Sequence, residues 1–290
     1  MNIDITQQRS ESVFSLSPHF AANRFAAYFK LFSATNYRNF LLSAASIIII
    51  SFLFFIFNFY TSAHAYYQSD TITDYIWHSE CSLMTFILAV LMMVGGSRCF
   101  NAISSRQDRA SLLEIPASHI EKFLTWICFY LPILIATSLF CFYIADIMRV
   151  VWVKVFTDYG SYAKVIPFSN VLALTTKVSS RPEKVFEIVS TYCNLLLLNA
   201  IFTLGSSLFT RLAFIKTIFS LFVIGLLLII AAYLGYNVFI SGHNVQTIFD
   251  PSISETSTTL VYAGSTILIS LYLYYISYMR LKESEIVTGW

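Results

Sequence analysis

Long apolar stretches and shorter polar segments alternate along this chain. Six stretches contain no Asp, Glu, Lys or Arg, and they cover residues 39–69, 81–97, 123–145, 188–210, 217–249 and 256–279. A membrane-spanning helix needs about 20 predominantly apolar residues, so each stretch can hold one, although the second is barely long enough. The pattern predicts an all-α protein with one six-helix transmembrane domain over residues 39–279. We expect its spans at about 39–60, 79–96, 123–148, 187–208, 217–240 and 258–278.

An amphipathic pattern precedes the first predicted span, over residues 20–38. Phe25, Phe29 and Phe32 share one helical face, whereas Arg24 and Lys30 lie on the other. Aromatic side chains facing the acyl boundary and cations facing the headgroups are typical of a helix that lies on the membrane surface. We therefore predict an interfacial helix here, with a stalk continuous with the first span as the alternative.

The distribution of Lys and Arg predicts the orientation. Basic residues occur in both terminal segments and in the connections 97–122 and 211–216, whereas the two short connections on the other side have none. The long connection 149–186 does contain basic residues, but long loops have less influence on topology. Both termini are therefore predicted to be cytoplasmic, with residues 1–19 and 280–290 as cytoplasmic tails and 149–186 as an outer loop.

Composition supports a membrane protein and excludes several functions. The chain has 290 residues, of which 57% are hydrophobic and 12% charged, about half the charged fraction of a soluble domain. A net charge of +2 without a basic tract gives no indication of nucleic-acid binding. The five cysteines are dispersed and the five histidines lie in separate segments, so neither set predicts a metal site. We also find no catalytic motif and expect no cofactor on this chain.

Charged residues are scarce within the predicted spans. The nearest pair is Asp146 and Arg149, spaced i, i+3 at the outer end of the third span, where we expect them to form an ion pair. Ion-coupled carriers usually have ionisable groups inside the membrane. If the protein is an active transporter, this scarcity therefore favours an energy source other than a coupled ion.

The polar segment 97–122 lies between the second and third spans and is predicted to fold on the cytoplasmic surface. Pro116 suits the start of a helix, and Ser118 followed by Glu121 matches a capping box, so a helix should begin near Ser118 and run into the third span. A solvated loop without a partner is the alternative interpretation of this segment.

The run LLEIPASHIEKFLTWI in this region resembles the sequence after the second span in membrane subunits of type-2 ABC exporters. It is most similar to permease-like proteins of Bacteroidetes. The resemblance implies a permease in the bacterial inner membrane, working as a dimer with a second copy or a related subunit. It also implies a coupling helix at 100–114 that docks on a separate ATPase subunit, which binds ATP and Mg²⁺. The residues assigned to this ATPase-coupling loop are Phe100, Arg106, Asp108, Arg109, Leu112, Glu114, Pro116, Ser118, Glu121 and Lys122.

Three functions remain open from the sequence: the exporter permease, a membrane anchor that presents the same segment to a cytoplasmic protein, and an ion-coupled carrier that requires Asp146. Ala231 and Gly235, spaced i, i+4 on the fifth span, suit close helix packing within one subunit or between two. Polar residues of the spans should face a shared path in a transporter and scatter toward helix contacts in an anchor. These residues are Ser43, Ser46, Asn58, Ser138, Asn194, Asn199, Ser206 and Ser207.

Overall fold

The computed structural model describes residues 20–66, 72–100, 117–157, 163–174, 182–209, 212–235 and 255–286. Within these ranges the chain forms helices and no strand. In chain order the helices are α1 Ala22–Tyr66, α2 Ile72–Arg98, α3 His119–Cys128, α4 Leu134–Phe156, α5 Phe168–Ala173, α6 Pro182–Leu208, α7 Ala213–Gly235 and α8 Glu255–Ile286. A π-helical turn, Phe129–Ile133, joins α3 to α4.

Six helical stretches in the described part of the chain are long and apolar enough to cross a membrane. They are Ala22–Ser62, Ile76–Arg98, His119–Phe156, Ile188–Leu208, Ala213–Ala231 and Leu260–Glu283. Each corresponds to one predicted span, so the prediction of an all-α, multi-pass membrane protein is confirmed. We call α1, α2, α3 with α4, α6, α7 and α8 the first to sixth spans.

The structure has no break between the predicted interfacial helix at 20–38 and the predicted span at 39–60, because α1 is continuous over 45 residues, as in the alternative of a stalk continuous with the first span. No Gly or Pro lies between Ala22 and Tyr66, so nothing in the sequence interrupts the helix. At 1.5 Å per residue, α1 is roughly 67 Å long, about twice the thickness of the apolar layer of a bilayer. Part of α1 must extend beyond that layer if the helix crosses the membrane steeply.

The third span begins as the sequence predicts. The Ser118 side chain accepts a hydrogen bond from the Glu121 backbone N–H, and the Glu121 side chain accepts one from the Ser118 N–H, which completes the capping box. Pro132 lies inside the π-helical turn, Phe129–Ile133, rather than ending the helix. Proline has no backbone N–H to donate, and a π-turn is one way for a helix to accommodate that loss.

The fourth span, α6, occupies the centre of the bundle and packs most extensively against α8 and α2. The first span packs along the third, and the two run in the same direction, since Phe32 contacts Phe129 and Phe52 contacts Trp152. The fifth span, α7, packs mainly against α6 and leaves most of its surface exposed. That exposed surface is predominantly apolar, with aliphatic and aromatic side chains, and suits lipid or another membrane helix.

Glycine permits the closest helix approaches within the chain. A Cβ on Gly96 of α2 would lie 2.6 Å from the Asn199 carbonyl oxygen of α6, and a Cβ on Gly205 of α6 would lie 2.0 Å from the Thr217 hydroxyl of α7. Ala231 of the predicted small-residue pair is exposed, so it makes no such internal contact. Its role in packing between two copies stays a prediction.

The predicted outer loop contains the expected short helix. Pro167 precedes α5, and Pro182 opens α6. Residues 163–167, which form no helix or strand, lead into α5. We call the end of the bundle where α2 ends and α3 begins the loop end. The far end is the opposite one, where α4 leads into residues 163–174.

Candidate functional site

The predicted coupling loop is described at its two ends. Phe100 is placed directly after α2, and Ser118, Glu121 and Lys122 are placed at the start of α3. The other residues assigned to this loop lie outside the described residues: Arg106, Asp108, Arg109, Leu112, Glu114 and Pro116.

The end of the loop that follows α2 is anchored by aromatic packing. Phe100 is 5% exposed, and its ring centroid lies 6.2 Å from that of Phe123 and 5.6 Å from that of Trp126. Phe123 in turn contacts Tyr278 of α8 at 5.6 Å. Burial of such aromatic side chains is strongly favourable, so the chain leaves α2 along a fixed path onto the third span.

The end of the loop that precedes α3 is anchored by Glu121, whose side chain is fully buried. Its Oε2 accepts a hydrogen bond from the Ser118 N–H at 2.8 Å. Its Oε1 accepts bonds from the Ala21 N–H at 2.7 Å and from Arg24 Nη2 at 3.2 Å. We call Arg24, Ser118 and Glu121 the clasp. It ties the beginning of α1 to the beginning of the third span.

The aromatic residues predicted to face lipid instead contribute to packing within the chain. Phe32 contacts Phe129 edge-on at 5.2 Å and Tyr130 at 6.3 Å. Phe25 and Phe29 are half-buried and contact each other at 6.1 Å. Phe32 therefore packs against the third span, and this part of the aromatic face is half-buried within the protein. Lys30 is exposed, as an outward-facing cation should be.

A cavity of about 760 Å³ lies beside the loop end, between α1, the end of α2 and the third span. Its walls combine apolar side chains with the polar groups of Asn36, Asn39, Ser43, Arg98 and Tyr130. A volume of this size is within the range of small-molecule sites. Among the described residues, no acidic side chain lines the cavity, so Arg98 gives it a positive character.

Asn199 of α6 connects four spans next to the π-helical turn. Its amide nitrogen donates to the Met92 carbonyl at 3.0 Å and, more weakly, to the Tyr130 carbonyl at 3.5 Å. Its Oδ1 accepts from the Tyr274 hydroxyl at 2.8 Å. The Tyr130 carbonyl belongs to the irregular turn around Pro132, so Asn199 stabilises that turn against its neighbours.

The far end of the bundle contains the predicted Asp146–Arg149 ion pair, which is confirmed. Both side chains are buried, at 0% and 1% exposed, and a third charged residue joins them. Glu80 of α2 is 0% exposed, and its Oε1 lies 3.2 Å from Arg149 Nε. The expectation that the spans are almost free of charge is therefore wrong at this end.

Arg149 and Asp146 also form hydrogen bonds with the backbone of residues 164 and 166, which precede α5. Arg149 Nη2 donates to the Lys164 carbonyl at 3.1 Å, and the Ile166 N–H donates to Asp146 Oδ2 at 2.8 Å. The Phe59 ring of α1 lies 5.7 Å from the guanidinium carbon of Arg149. We call Glu80, Asp146 and Arg149 the far-end triad. Around the Arg149 guanidinium, the triad connects α2, α4 and the segment that precedes α5.

The fold and the buried polar groups define the class of protein: an α-helical, multi-pass membrane protein with charged contacts near both ends of its third span. No family model, no curated protein and no solved structure matches the chain. The function must therefore be argued from the geometry and from the sequence resemblance.

The sequence did not lead us to predict two contacts at these sites, Glu80 with Arg149 and Arg24 with Glu121. Glu80 lies four residues before Met84 and eight before Leu88, both fully buried, so the helical spacing placed it on the buried face of α2. The Arg24–Glu121 contact joins residues 97 positions apart, and no local pattern indicates it.

We expect Glu121→Ala to destabilise the protein by about 2 kcal/mol, since it removes the capping box, the ion pair with Arg24 and the acceptor of the Ala21 N–H. Glu121→Gln keeps an acceptor at the third helical position, as a capping box allows, and should lose about half as much. Unfolding of the purified protein in mild detergent measures both. Equal losses of stability for the two variants would mean that Glu121 stabilises the protein through its charge alone and not through its role as a hydrogen-bond acceptor.

Proposed function

We propose that the chain is the permease subunit of an ATP-driven ABC exporter in a bacterial inner membrane. In this proposal residues 100–114 dock on a separate ATPase subunit, and both termini are cytoplasmic. The observation that carries the proposal is that both ends of the loop are fixed on the third span. Phe100 packs on Phe123 and Trp126, and Glu121 is held by the clasp.

This anchoring supplies a route for mechanical coupling. Movement of the loop by the ATPase would be transmitted to α3 through the Phe100 packing and the clasp. The π-helical turn, Phe129–Ile133, separates α3 from α4. Such a turn lets one part of a helix shift relative to the next, as rigid-body gating requires. No catalytic residue is needed on this chain.

The cavity beside the loop end supports transport rather than anchoring alone. It is bordered by Arg98 and Cys99 at the end of α2 and by Trp126 and Tyr130 of the third span. Trp126 also contacts Phe100, so displacement of the loop would change the shape of the cavity. A substrate site linked to the ATPase contact would have this arrangement.

A specific observation also favours the second candidate, a membrane anchor or assembly module. The eight polar span residues do not line a shared path. Asn58 pairs with Ser79, Asn194 with Tyr262 and Ser206 with the Gly96 carbonyl, while Ser43 and Ser46 bond to their own helix. A transport route would then have to form between two copies of the chain.

Charge reversal in the loop tests the proposal. In full-length protein extracted with mild detergent, the double variant Arg109→Glu, Glu114→Lys should lose an ATP-hydrolysing protein that co-purifies with wild type, by at least about tenfold. The matched control is Arg280→Glu, Glu283→Lys, which reverses an exposed ion pair on α8. It should retain the ATPase at the wild-type level.

The other outcomes separate the two candidates. A co-purifying protein without ATPase activity that is lost with the same charge reversal would support the anchor and contradict the exporter. Recovery of no ATPase with wild type, under conditions that preserve the folded protein, would also contradict the exporter. Thermal unfolding of each variant establishes that the loss of a partner does not reflect misfolding.

A further inference from the structure

The far-end triad contains two carboxyl groups and one guanidinium, all inaccessible to solvent. Glu80 and Asp146 are 0% exposed, and Arg149 is 1% exposed. With every group ionised the triad would have a net charge of −1 inside the bundle. Transfer of an uncompensated charge into such an environment is strongly unfavourable.

Asp146 uses both of its oxygens and forms a close ion pair with Arg149. Its Oδ1 accepts hydrogen bonds from Arg149 Nε, at 2.9 Å, and from Nη2, while its Oδ2 accepts the Ile166 N–H at 2.8 Å. Donors directed at both oxygens stabilise the charged carboxylate. The charge of Arg149 is therefore balanced by Asp146.

Glu80 has no comparable support. Among the described residues, no donor forms a hydrogen bond with either of its oxygens. In the described part of the chain its one ion pair is with Arg149 Nε, at 3.2 Å, and this nitrogen already donates to Asp146. A buried carboxylate without donors is unfavourable, whereas the neutral acid needs no compensating charge.

Within the residues that the structure describes, Glu80 has no second cation beside it. From the third span the charged groups that face it are Asp146 and Arg149, and on its own helix the neighbouring titratable group is the Cys81 thiol. The first span contributes Phe59, an apolar ring. Lys164 reaches the triad through its backbone carbonyl, and its side chain is exposed.

We propose that Glu80 is a proton-binding site and that the folded protein holds it as the neutral acid. A metal ion does not suit the position, because the Arg149 guanidinium adjoins one Glu80 oxygen and would repel a second cation. The proton is taken from water and bonds to a Glu80 carboxylate oxygen, which leaves the triad with no net charge.

Protonation of Glu80 also affects how the neighbouring segment is attached, because Glu80 lies beside Arg149. Loss of the proton would set a second negative charge against Asp146 and let Glu80 compete for Arg149. Arg149 also binds the Lys164 carbonyl, so this competition would weaken the attachment of residues 163–166 to the third span. Proton occupancy thus controls how firmly the far-end segment is held.

Infrared spectroscopy provides the direct test. Full-length protein at about neutral pH, in a detergent without ester groups, should show the carbonyl band of a protonated carboxylic acid that is absent from Glu80→Gln. The exposed carboxylate variant Glu283→Gln should retain the band. A wild-type spectrum without a band that Glu80→Gln removes would overturn the proposal.

The pH dependence of stability provides a second test with a defined sign. The unfolded chain releases the Glu80 proton in water above about pH 4.3, whereas the folded chain keeps it, so the wild type loses stability as pH rises. The ratio of its unfolding equilibrium constant to that of Glu80→Gln should rise by up to about tenfold per pH unit. A ratio independent of pH, or a Glu80→Gln variant that fails to fold, would contradict a neutral Glu80.

Discussion

Substitution of Arg149 by Gln should destabilise the protein by about 3–5 kcal/mol, one of the two largest effects we expect. Removing one partner of a buried ion pair leaves the other charge uncompensated, which typically has a cost of this size. Here the remaining carboxylate is Asp146, at 0% exposed. The same substitution also removes the hydrogen bond to the Lys164 carbonyl and so weakens the attachment of the segment before α5.

Unfolding of the purified protein in mild detergent, followed by the fluorescence of its tryptophans, measures this loss. Arg280→Gln is the matched control, because that arginine pairs with Glu283 at 55% exposure and its replacement should change stability by at most about 0.5 kcal/mol. A double variant, Arg149→Met with Asp146→Asn, removes both charges and should regain most of the loss. Similar losses for the single and double variants would mean that side-chain packing, not charge, dominates at this site.

The far-end triad shows which contacts a sequence can predict. Asp146 and Arg149 are three residues apart on one helix, so their contact follows from helical geometry alone. The capping box of Ser118 and Glu121 is local in the same sense, and both predictions are confirmed. Glu80 reaches Arg149 only because α2 packs beside the third span. That neighbour relation is a property of the whole bundle and has no counterpart in the local pattern.

The first helix shows a different limit. Its N-terminal half has the cations and aromatic residues of an interfacial helix, and composition gave that interpretation its weight. The lack of any Gly or Pro across 45 residues favours an uninterrupted helix, and the structure has one. Phe32 then packs on Phe129 and Tyr130, which a helix lying apart on the membrane surface would not allow.

The third span links the two charged sites of the molecule. Its beginning is held to α1 by the clasp, its far end is held to α2 and to the 163–166 segment by Arg149 and Asp146, and the π-helical turn lies between them. Under the proposed function, a force applied at the loop end would act on a helix whose far end is restrained. The shift would then concentrate at the Pro132 turn, where Asn199 connects the third span to its neighbours.

Gly96→Ala should be one of the most damaging small substitutions in the apolar part of the bundle, with a loss of about 3 kcal/mol. Its Cβ would lie 2.6 Å from the Asn199 carbonyl oxygen, 3.0 Å from the Phe202 Cβ and 3.1 Å from the Thr203 nitrogen. Two of these three atoms belong to the backbone of α6, so no side-chain rotation relieves the contact. The second and fourth spans must separate, and overpacking of this kind costs about 1–3 kcal/mol or more.

The same separation should weaken the hydrogen bonds that cross this contact. The Gly96 carbonyl accepts the Ser206 hydroxyl at 3.1 Å, and the Asn199 amide donates to the Met92 carbonyl at 3.0 Å. Ser206→Ala removes one of these hydrogen bonds without moving the helices. Its expected destabilisation of about 1 kcal/mol therefore measures the contribution of one such bond to stability. A larger loss for Gly96→Ala therefore measures the steric effect.

Gly225→Ala is the matched control, because its added methyl group would meet nothing within 4 Å. Alanine also has the higher helix propensity, so this variant should match the wild type or exceed its stability by up to about 1 kcal/mol. Both proteins are purified in the same detergent, and their unfolding is compared directly. If Gly96→Ala proves as stable as Gly225→Ala, the second and fourth spans cannot approach as closely as the Gly96–Asn199 contact requires.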